Sequence, residues 1–361
     1  MFVKKHGLIL LLILVLTAIP LWQQRQLFFT PTNMDESAQK YAHSQYVLGD
    51  AAPQKIDDGE LYIYAGYAYT QGEDPTTINF EHPPLFKYGF GLSYLIFKNS
   101  YVISLIYYGL FLVSCYLFSG LLIKNKLLRA AAVVILALQP AVNGLASQAL
   151  LDLPLNILVL LLVYLLFSAR FSARSRYLGA GLILGLMSGV KYPFPFLILP
   201  IALVGIVSLI RKEGRHLVWP AVLLPSIYLA QYLLYFTHGH SLLEFIQFEK
   251  YRFVWWVGNR TIPPFLIIQN LFTGQFPAWW EPGVMMKDLA WSLSLPIIFI
   301  SYLAAFILIK KDFPKLVFYV YSLAVISLYA VGSATYLRYL TQIIPFWIVL
   351  VLATVEERWQ R

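Results

Sequence analysis

The sequence has little charge and almost no cysteine. Only 12% of its 361 residues are charged, and it contains a single cysteine, Cys115. Soluble domains carry about 25% charged residues, so the composition excludes a soluble globular enzyme, a disordered chain and a coiled coil. One cysteine excludes a disulfide framework and a cysteine metal site. The chain also lacks a glycine-rich phosphate loop, which argues against nucleotide hydrolysis.

What the sequence does have is apolar length. Hydrophobic residues make up 59% of the chain, and its mean hydropathy is +0.66. Because a spanning helix needs about 20 apolar residues, we predict an all-α polytopic membrane protein with a single domain over residues 1–361. The predicted transmembrane helices, about ten, lie at residues 8–24, 101–123, 128–146, 150–168, 177–194, 196–210, 217–236, 289–309, 316–332 and 338–355.

Basic residues are concentrated in alternate short loops. Three lysines or arginines occur in each of the segments 124–129, 170–176, 211–215 and 310–315. The positive-inside rule places such loops in the cytoplasm, and Lys4 and Lys5 place the N-terminus there too. The same rule places the C-terminus, with Arg358 and Arg361, in the cytoplasm. The net charge of +9 is therefore mostly a feature of topology, and we predict no nucleic-acid partner.

Two long segments fall on the external side in this topology. Residues 25–100 hold half of the chain's 18 acidic residues, and residues 237–288 are rich in aromatic side chains. Long loops in a compact protein usually carry function. Apolar stretches at 61–69, 85–97 and 242–253 predict amphipathic helices that lie in the membrane interface.

Apart from Arg129 at the cytoplasmic edge of the third span, three charged residues lie within the predicted spans. Asp152 opens the fourth span, Lys191 closes the fifth and Arg338 opens the tenth. Charges at membrane depth are costly and usually functional. The topology places all three near the external face, which indicates a shared polar site. The alternative is that each side chain extends along the membrane interface to reach water.

The first external loop carries the most specific pattern. An acidic cluster of Asp57, Asp58 and Glu60 precedes a short apolar helix. Residues 82–85 then read His-Pro-Pro-Leu, between Glu81 and Lys87. Two prolines suit the first turn of a new helix, so we predict a strap across the outer membrane face. The alternative is a capped solvent loop with ordinary acidic residues.

This loop resembles that of the C-type (GT-C) glycosyltransferase superfamily. The resemblance is to the protein O-mannosyltransferases and the lipid A aminoarabinose transferases, through an acid followed by Tyr and Ala and then His-Pro-Pro-Leu. Weaker similarities follow in the family's order at residues 147–155, 185–192, 274–280 and 338–346. One departure is the interval of some 33 residues between the first helix and Asp58, which is longer than usual in the family.

The resemblance implies an inverting sugar transfer from a polyprenyl-phosphate donor to an acceptor hydroxyl. Such a reaction needs a carboxylate to take the hydroxyl proton and cations to stabilise the phosphate leaving group. On this basis Asp58 is the expected base and Asp152 orients the acceptor. Lys191 and Arg338 are the expected phosphate partners, and His82 touches the phosphate or orients the strap.

The base has two rivals in the sequence. Asp57 is adjacent to Asp58, and Asp35 lies closer to the first span and also precedes a Tyr-Ala pair. We predict no cofactor and no metal ion. The expected partners are a polyprenyl-phosphate-linked sugar, membrane lipids and a protein, lipid or glycan acceptor that the sequence does not identify.

The expected location is the cell membrane with an external active site, or the endoplasmic reticulum membrane in a eukaryote. The alternative function is a transporter or flippase of a lipid-linked or polar substrate. A transporter would hold its ionisable residues near the membrane midplane, whereas these charges lie toward one face.

Overall fold

A computed structural model shows a chain that is mostly helical. It describes residues 2–191, 193–258, 263–278, 281, 283–310, 312–332 and 334–360. Trp279 and Trp280, which belong to the predicted similarity at 274–280, lie outside these ranges. The fold agrees with the predicted all-α class in every part of the chain that the structure describes, apart from one short hairpin in the late loop.

The first helix is followed by a series of short helices that build the first loop. Asn33, Ser44, Asp57 and Asp74 each begin one of these helices by accepting a backbone N–H at its N-terminus. The elements are α1 (Phe2–Gln23), α2 (Arg25–Phe29), α3 (Met34–Ala42), α4 (Gln45–Leu48), α5 (Asp58–Thr70), α6 (Pro75–Ile78) and α7 (Lys87–Phe97).

Longer apolar helices make up most of the middle of the chain. They are α8 (Val102–Ser119), α9 (Lys126–Ala137), α10 (Pro140–Asn143), α11 (Asp152–Phe167), α12 (Ala173–Ser188), α13 (Pro193–Ile210), α14 (Val218–Ala230) and α15 (Leu233–Thr237).

The late loop and the C-terminal helices complete the fold. The loop contains α16 (Leu242–Gly258), α17 (Leu266–Thr273) and an antiparallel hairpin of β1 (Gln275–Pro277) and β2 (Met285–Lys287). The last helices are α18 (Ser294–Leu308), α19 (Phe313–Val331) and α20 (Ile344–Trp359).

Every predicted span overlaps helical structure, but three of the boundaries are wrong. The segment 128–146 is two helices bent by 73°, because Pro140 cannot continue α9. The segment 217–236 breaks between α14 and α15. The segment 338–355 begins as a 3₁₀ turn, Leu337–Gln342, and its α-helix starts only at Ile344. Each break carries polar residues, but the chain is apolar on both sides of it, so hydropathy averaged over a span does not reveal the break.

Within the described ranges, two continuous helices, α8 and α19, are long and apolar enough to cross a membrane, and the bent pair that begins with α9 is a third candidate. Shorter apolar helices occur at 7–23, 152–167, 196–210 and 294–308. The count of ten spans and the orientation of the termini remain predictions.

The centre of the bundle is α11. Its side chains are buried on nearly every face, and Leu160 and Leu166 are completely covered. A helix that is apolar all round is expected to lie inside a bundle. It packs against α8 on one side and α12 on another. Because α11 begins at Asp152, that carboxylate lies at one end of the protein core.

The predicted stretches at 61–69 and 85–97 form α5 and α7, which cross in close contact. A Cβ added to Gly66 would lie 2.0 Å from the backbone oxygen of Lys87, and one added to Gly91 would lie 2.2 Å from the backbone oxygen of Gly66. Only glycine permits this approach. The two helices therefore form one unit, called the strap from here on, over residues 58–97.

Two of the basic segments, 124–129 and 310–315, meet at the other end of the molecule. The Glu356 carboxylate accepts from the backbone N–H groups of Lys124 and Asn125. Glu357 accepts from the backbone N–H of Lys310 and pairs with Lys315. Both glutamates end α20, whereas Arg338 precedes it. The basic loops thus lie at the opposite end of α20 from Arg338.

Candidate functional site

Asp58 and Arg338 form an ion pair, although 280 residues separate them in sequence. The Arg338 Nη2 atom lies 2.8 Å from Asp58 Oδ2. Asp58 is the first residue of α5, and its side chain is 40% exposed. Arg338 is held in the 3₁₀ turn before α20. The pair brings the first loop against the last helix.

The neighbours of Asp58 have other partners. Asp57 accepts from the backbone N–H of Glu60 at 2.8 Å, and Glu60 bonds back to the backbone N–H of Asp57. This capping box fixes the start of α5. Lys40 of α3 also pairs with Glu60 at 3.0 Å. Asp57 and Glu60 therefore fix the position from which Asp58 extends.

Asp152 and Lys191 form a second, buried pair. Lys191 Nζ donates to Asp152 Oδ1 at 2.7 Å, and both side chains are about 95% buried. Asp152 begins α11, and Lys191 follows the end of α12. A buried pair must compensate the loss of hydration of both charges. Retaining one at the end of a hydrophobic bundle points to a role other than stability.

Tyr339 connects the two pairs. The Lys191 ammonium lies 4.8 Å from the centre of its ring, and the Arg338 guanidinium lies 5.4 Å from the same centre. The turn that holds Arg338 is fixed from α11, because Asn156 donates to Thr341 at 2.8 Å and Thr341 bonds the backbone oxygen of Arg338. The four predicted charged residues thus belong to one cluster.

The His-Pro-Pro-Leu segment lies beside this cluster. The indole N–H of Trp256, on α16, donates to the backbone oxygen of Glu81 at 3.0 Å. The His82 ring lies 5.3 Å from the Trp256 ring and 6.2 Å from that of Tyr62. The late loop therefore covers the strap at the site.

The environment shifts the pKa values of Glu81 and His82 in the directions that favour the neutral form of each side chain. Burial and the nearby Asp58 carboxylate raise the pKa of Glu81 to about 7. Burial and the positive charges of Lys87 and Lys191 lower the pKa of His82. At neutral pH His82 is an uncharged imidazole, and Glu81 is close to half protonated.

Lys87 holds the strap together. Its ammonium donates to the backbone and side-chain oxygens of Asn79 and to the backbone oxygen of His82, the last at 2.6 Å. These three bonds use all three of its N–H groups. The residue is completely buried, at 0% exposure. Lys87 therefore positions His82 and has no N–H left to bind a ligand.

Asp35 takes part in none of the ion pairs that the described residues form in this cluster. It is an exposed residue in the first turn of α3. Among the described residues, the ion pairs of the cluster join Asp58 to Arg338 and Asp152 to Lys191. In the same ranges no three His, Cys, Asp or Glu side chains are arranged to hold a metal ion.

Some residues of the site were not predicted from the sequence. Asn156 was visible as a lone polar residue one turn after Asp152 in an apolar helix. Tyr339 stood in a predicted motif but received no role. Trp256 and Tyr62 gave no distinguishing signal, because the chain contains many aromatic residues.

Two solved structures share this fold. The crystal structure of ArnT from Cupriavidus metallidurans bound to undecaprenyl phosphate matches 98% of this chain, with a TM-score of 0.64 and 15% identity. ArnT from the same organism in the apo state matches 84% of it, with a TM-score of 0.57 and 14% identity. This chain spans 60% of the length of the first ArnT chain and 56% of the second.

ArnT is a lipid A aminoarabinose transferase with a GT-C fold. The resemblance to the GT-C superfamily predicted from the first loop is therefore confirmed at the level of the fold. No protein-family model matches the sequence, and no curated protein matches it either.

Proposed function

We propose that this protein is a membrane glycosyltransferase that moves a sugar from a polyprenyl-phosphate donor to an acceptor hydroxyl, with inversion. One observation carries the proposal. Two carboxylate–cation pairs, Asp58–Arg338 and Asp152–Lys191, meet around Tyr339 at one end of the bundle. The fold around them is that of ArnT, which has been solved with undecaprenyl phosphate.

Asp58 is the proposed general base. Its carboxylate takes the proton of the acceptor hydroxyl as the hydroxyl oxygen bonds to the anomeric carbon of the sugar. The bond from that carbon to the donor phosphate breaks, and its electron pair leaves with the phosphate. Attack on the face opposite the phosphate inverts the configuration, as in inverting glycosidases. The part-exposed side chain of Asp58 suits this role, since Asp57 is engaged in its capping box.

Arg338 is the proposed link between the base and the leaving group. One of its terminal nitrogens binds Asp58, while its buried Nε has no hydrogen-bond partner among the described residues. A guanidinium offers five N–H donors in a rigid fork. It is therefore able to hold the Asp58 carboxylate and a phosphate oxygen at once, which sets the distance between base and leaving group.

Lys191 and Asp152 are proposed to act as a pair. The Lys191 ammonium uses one N–H on Asp152, which leaves two N–H groups for a phosphate oxygen. Asp152 fixes the ammonium and adds the second negative charge that orients the acceptor. Because the pair is shielded from water, its field on a developing phosphate charge is stronger than at an exposed site.

The strap supplies neutral hydrogen-bonding groups in this proposal. His82 is an uncharged imidazole, and Glu81, whose pKa is raised to about 7, is a hydrogen-bond donor in the protonated form that it partly adopts at neutral pH. Neutral groups there avoid repelling the donor phosphate. We place the site on the external face of the cell membrane, in keeping with the basic loops at the opposite end of α20.

The transporter alternative is less well supported. Transporters hold their ionisable residues near the midplane, where helices are interrupted. Here Asp152 begins α11, Lys191 follows α12 and Arg338 precedes α20. Charges at helix ends on one side of a bundle suit chemistry at the membrane surface better than passage through it.

A transfer assay tests the proposal. The purified protein is incubated with radiolabelled sugars linked to undecaprenyl phosphate and with membranes as a source of acceptor. The expected result is movement of label from the lipid to an acceptor with at least one sugar of the panel. The proposal would be overturned if every donor kept its label although the protein elutes as a single folded species.

A further inference from the structure

The side chain of Gln231 is an anomaly in the packing of the bundle. It is 94% buried, since its exposure is 6%. Neither its amide nitrogen nor its amide oxygen has a hydrogen-bond partner among the described residues. Buried polar groups in proteins are almost always bonded, and each exception needs an explanation. Here both polar atoms of the carboxamide lack a partner in the part of the chain that the structure describes.

The position of Gln231 connects it to the proposed site. It follows α14 directly, where that helix ends and α15 has not begun. A Cβ added to Gly189 would lie 2.4 Å from the amide oxygen of Gln231 and 2.7 Å from Cβ of Leu85. Gly189 precedes Lys191 by two residues, and Leu85 ends the His-Pro-Pro-Leu run. The amide thus lies beside Gly189, in the segment that leads to Lys191, and this same point of the segment is in contact with Leu85 of the strap.

The chemistry of the unpaired group indicates what it binds. A carboxamide has donors on its nitrogen and an acceptor on its oxygen. A phosphate oxygen only accepts, so it would leave the Gln231 oxygen unpaired. Sugar hydroxyls both donate and accept, and two neighbouring hydroxyls satisfy both sides of the amide.

We propose that Gln231 is a donor-binding residue that reads hydroxyl groups of the sugar on the polyprenyl phosphate. The proposal rests on the glycosyltransferase function proposed above and deepens it. In this account Lys191 and Arg338 hold the phosphate, which is common to all donors. Gln231 contacts the sugar, which differs from donor to donor, and Gln231 therefore contributes to the choice of donor.

The test is the substitution Gln231→Met, which keeps the length of the side chain and removes its polar atoms. Two probes are compared in binding measurements with the full-length protein: undecaprenyl phosphate alone, and the undecaprenyl-phosphate-linked sugar that the unsubstituted protein turns over fastest. We expect affinity for the lipid phosphate alone to stay within about twofold. Affinity for the sugar-linked lipid should fall about tenfold or more, the usual effect of leaving hydroxyls unpaired in a buried site.

A second readout separates ligand binding from a structural role. Replacing an unpaired buried amide by an apolar group is neutral or stabilising, so the melting temperature of Gln231→Met should be unchanged or raised. The matched control is Gln139→Met. Gln139 is equally buried, but its amide donates to the Ile135 backbone oxygen and accepts from Ser294. That variant should melt several degrees lower and bind both probes normally.

The outcomes are distinct. Failure of the unsubstituted protein to bind or use any polyprenyl-phosphate donor defeats the function itself. If that protein is active, equal affinities of Gln231→Met and the unsubstituted protein for the sugar-linked lipid would overturn the assignment of Gln231. Equal losses on both probes would overturn its assignment to the sugar.

Discussion

At the scale of single residues, the site depends on which partners the neighbouring carboxylates bind. Asp57, Asp58 and Glu60 lie within four positions, yet two of them cap a helix and one faces a guanidinium. Sequence alone does not separate these uses, because all three residues are acidic and close together. The orientation of the first turn of α5 decides which of the three carboxylates caps the helix and which one faces Arg338.

The first prediction concerns the proposed base. Asp58→Asn should lower turnover by about 10²–10⁴-fold, because the amide cannot accept the hydroxyl proton. Donor affinity should change little, since the phosphate is assigned to Arg338 and Lys191. Single-turnover transfer and donor binding measure the two effects separately.

Two variants serve as controls for that experiment. Asp57→Asn should remain active, because asparagine caps a helix about as well as aspartate. Asp35→Asn should also remain active, since Asp35 is exposed on α3. Loss of transfer in Asp35→Asn with normal turnover in Asp58→Asn would move the base to the earlier acidic pair.

The second prediction uses the pKa of Glu81, which is raised from 4.5 to about 7. Between these values the folded protein holds a proton that the unfolded chain has lost. The contribution of Glu81 to stability is therefore fully present below about pH 4.5, falls as the pH rises to about 7, and stays lost above it. Glu81→Gln lacks this dependence.

Thermal unfolding in detergent checks the direction of this pH dependence. The melting temperature of the unsubstituted protein minus that of Glu81→Gln should decrease between pH 4.5 and 7 and then level off. A difference that increases with pH over this range would show that the folded protein favours the ionised carboxylate.

At the scale of elements, the strap depends on the contact between α5 and α7. The third prediction is that Gly66→Ala destabilises the protein by about 1–3 kcal/mol and reduces transfer, because the new methyl group would collide with the Lys87 backbone oxygen. Lys87 holds His82, so the displacement reaches the site.

The matched control is Gly205→Ala in α13, where nothing lies within 4 Å of an added Cβ. Alanine is the better helix former by about 1 kcal/mol, so this variant should be as stable as the unsubstituted protein or more so. Equal melting temperatures for Gly66→Ala and Gly205→Ala would contradict the close packing of the strap.

Elements were easier to predict than their connections. Long apolar runs located α8, α11 and α19, and the apolar stretches 61–69 and 85–97 of the first loop located the strap helices. The break at Gln231 and the 3₁₀ turn at Arg338 were missed, because the few polar residues at each place stand within long apolar segments and do not by themselves mark the end of a helix.

The pairing of charges could not be derived from the sequence either. Lys191, in the connection after α12, lies 39 positions from Asp152 at the start of α11, and Arg338 lies 280 positions from Asp58. Their partners are decided by how the helices pack. The sequence predicted that the charged residues share a face, whereas the structure shows which residue bonds to which.

At the scale of the whole molecule, topology decides which side of the membrane the site faces. The fourth prediction is that cysteines at positions 35 and 250 react with an impermeant maleimide in intact cells, and cysteines at 126 and 212 react only after permeabilisation. All four positions are exposed. The native Cys115 is buried and should give no background.

Labelling of positions 126 and 212 from outside, with 35 and 250 protected, would invert the topology. The site would then face the cytoplasm. Such a result would leave the charge pairs and the fold unchanged, so it tests orientation separately from chemistry.

The most direct test of the central claim asks what the protein does to a lipid-linked sugar. The purified protein is reconstituted into vesicles that contain undecaprenyl phosphate carrying a radiolabelled sugar, with membrane extract as acceptor. The account predicts that the sugar leaves the lipid and appears on an acceptor with the unsubstituted protein, and that Asp58→Asn leaves the donor intact. Movement of the intact donor between leaflets, with no sugar transferred, would contradict the account and establish a transporter.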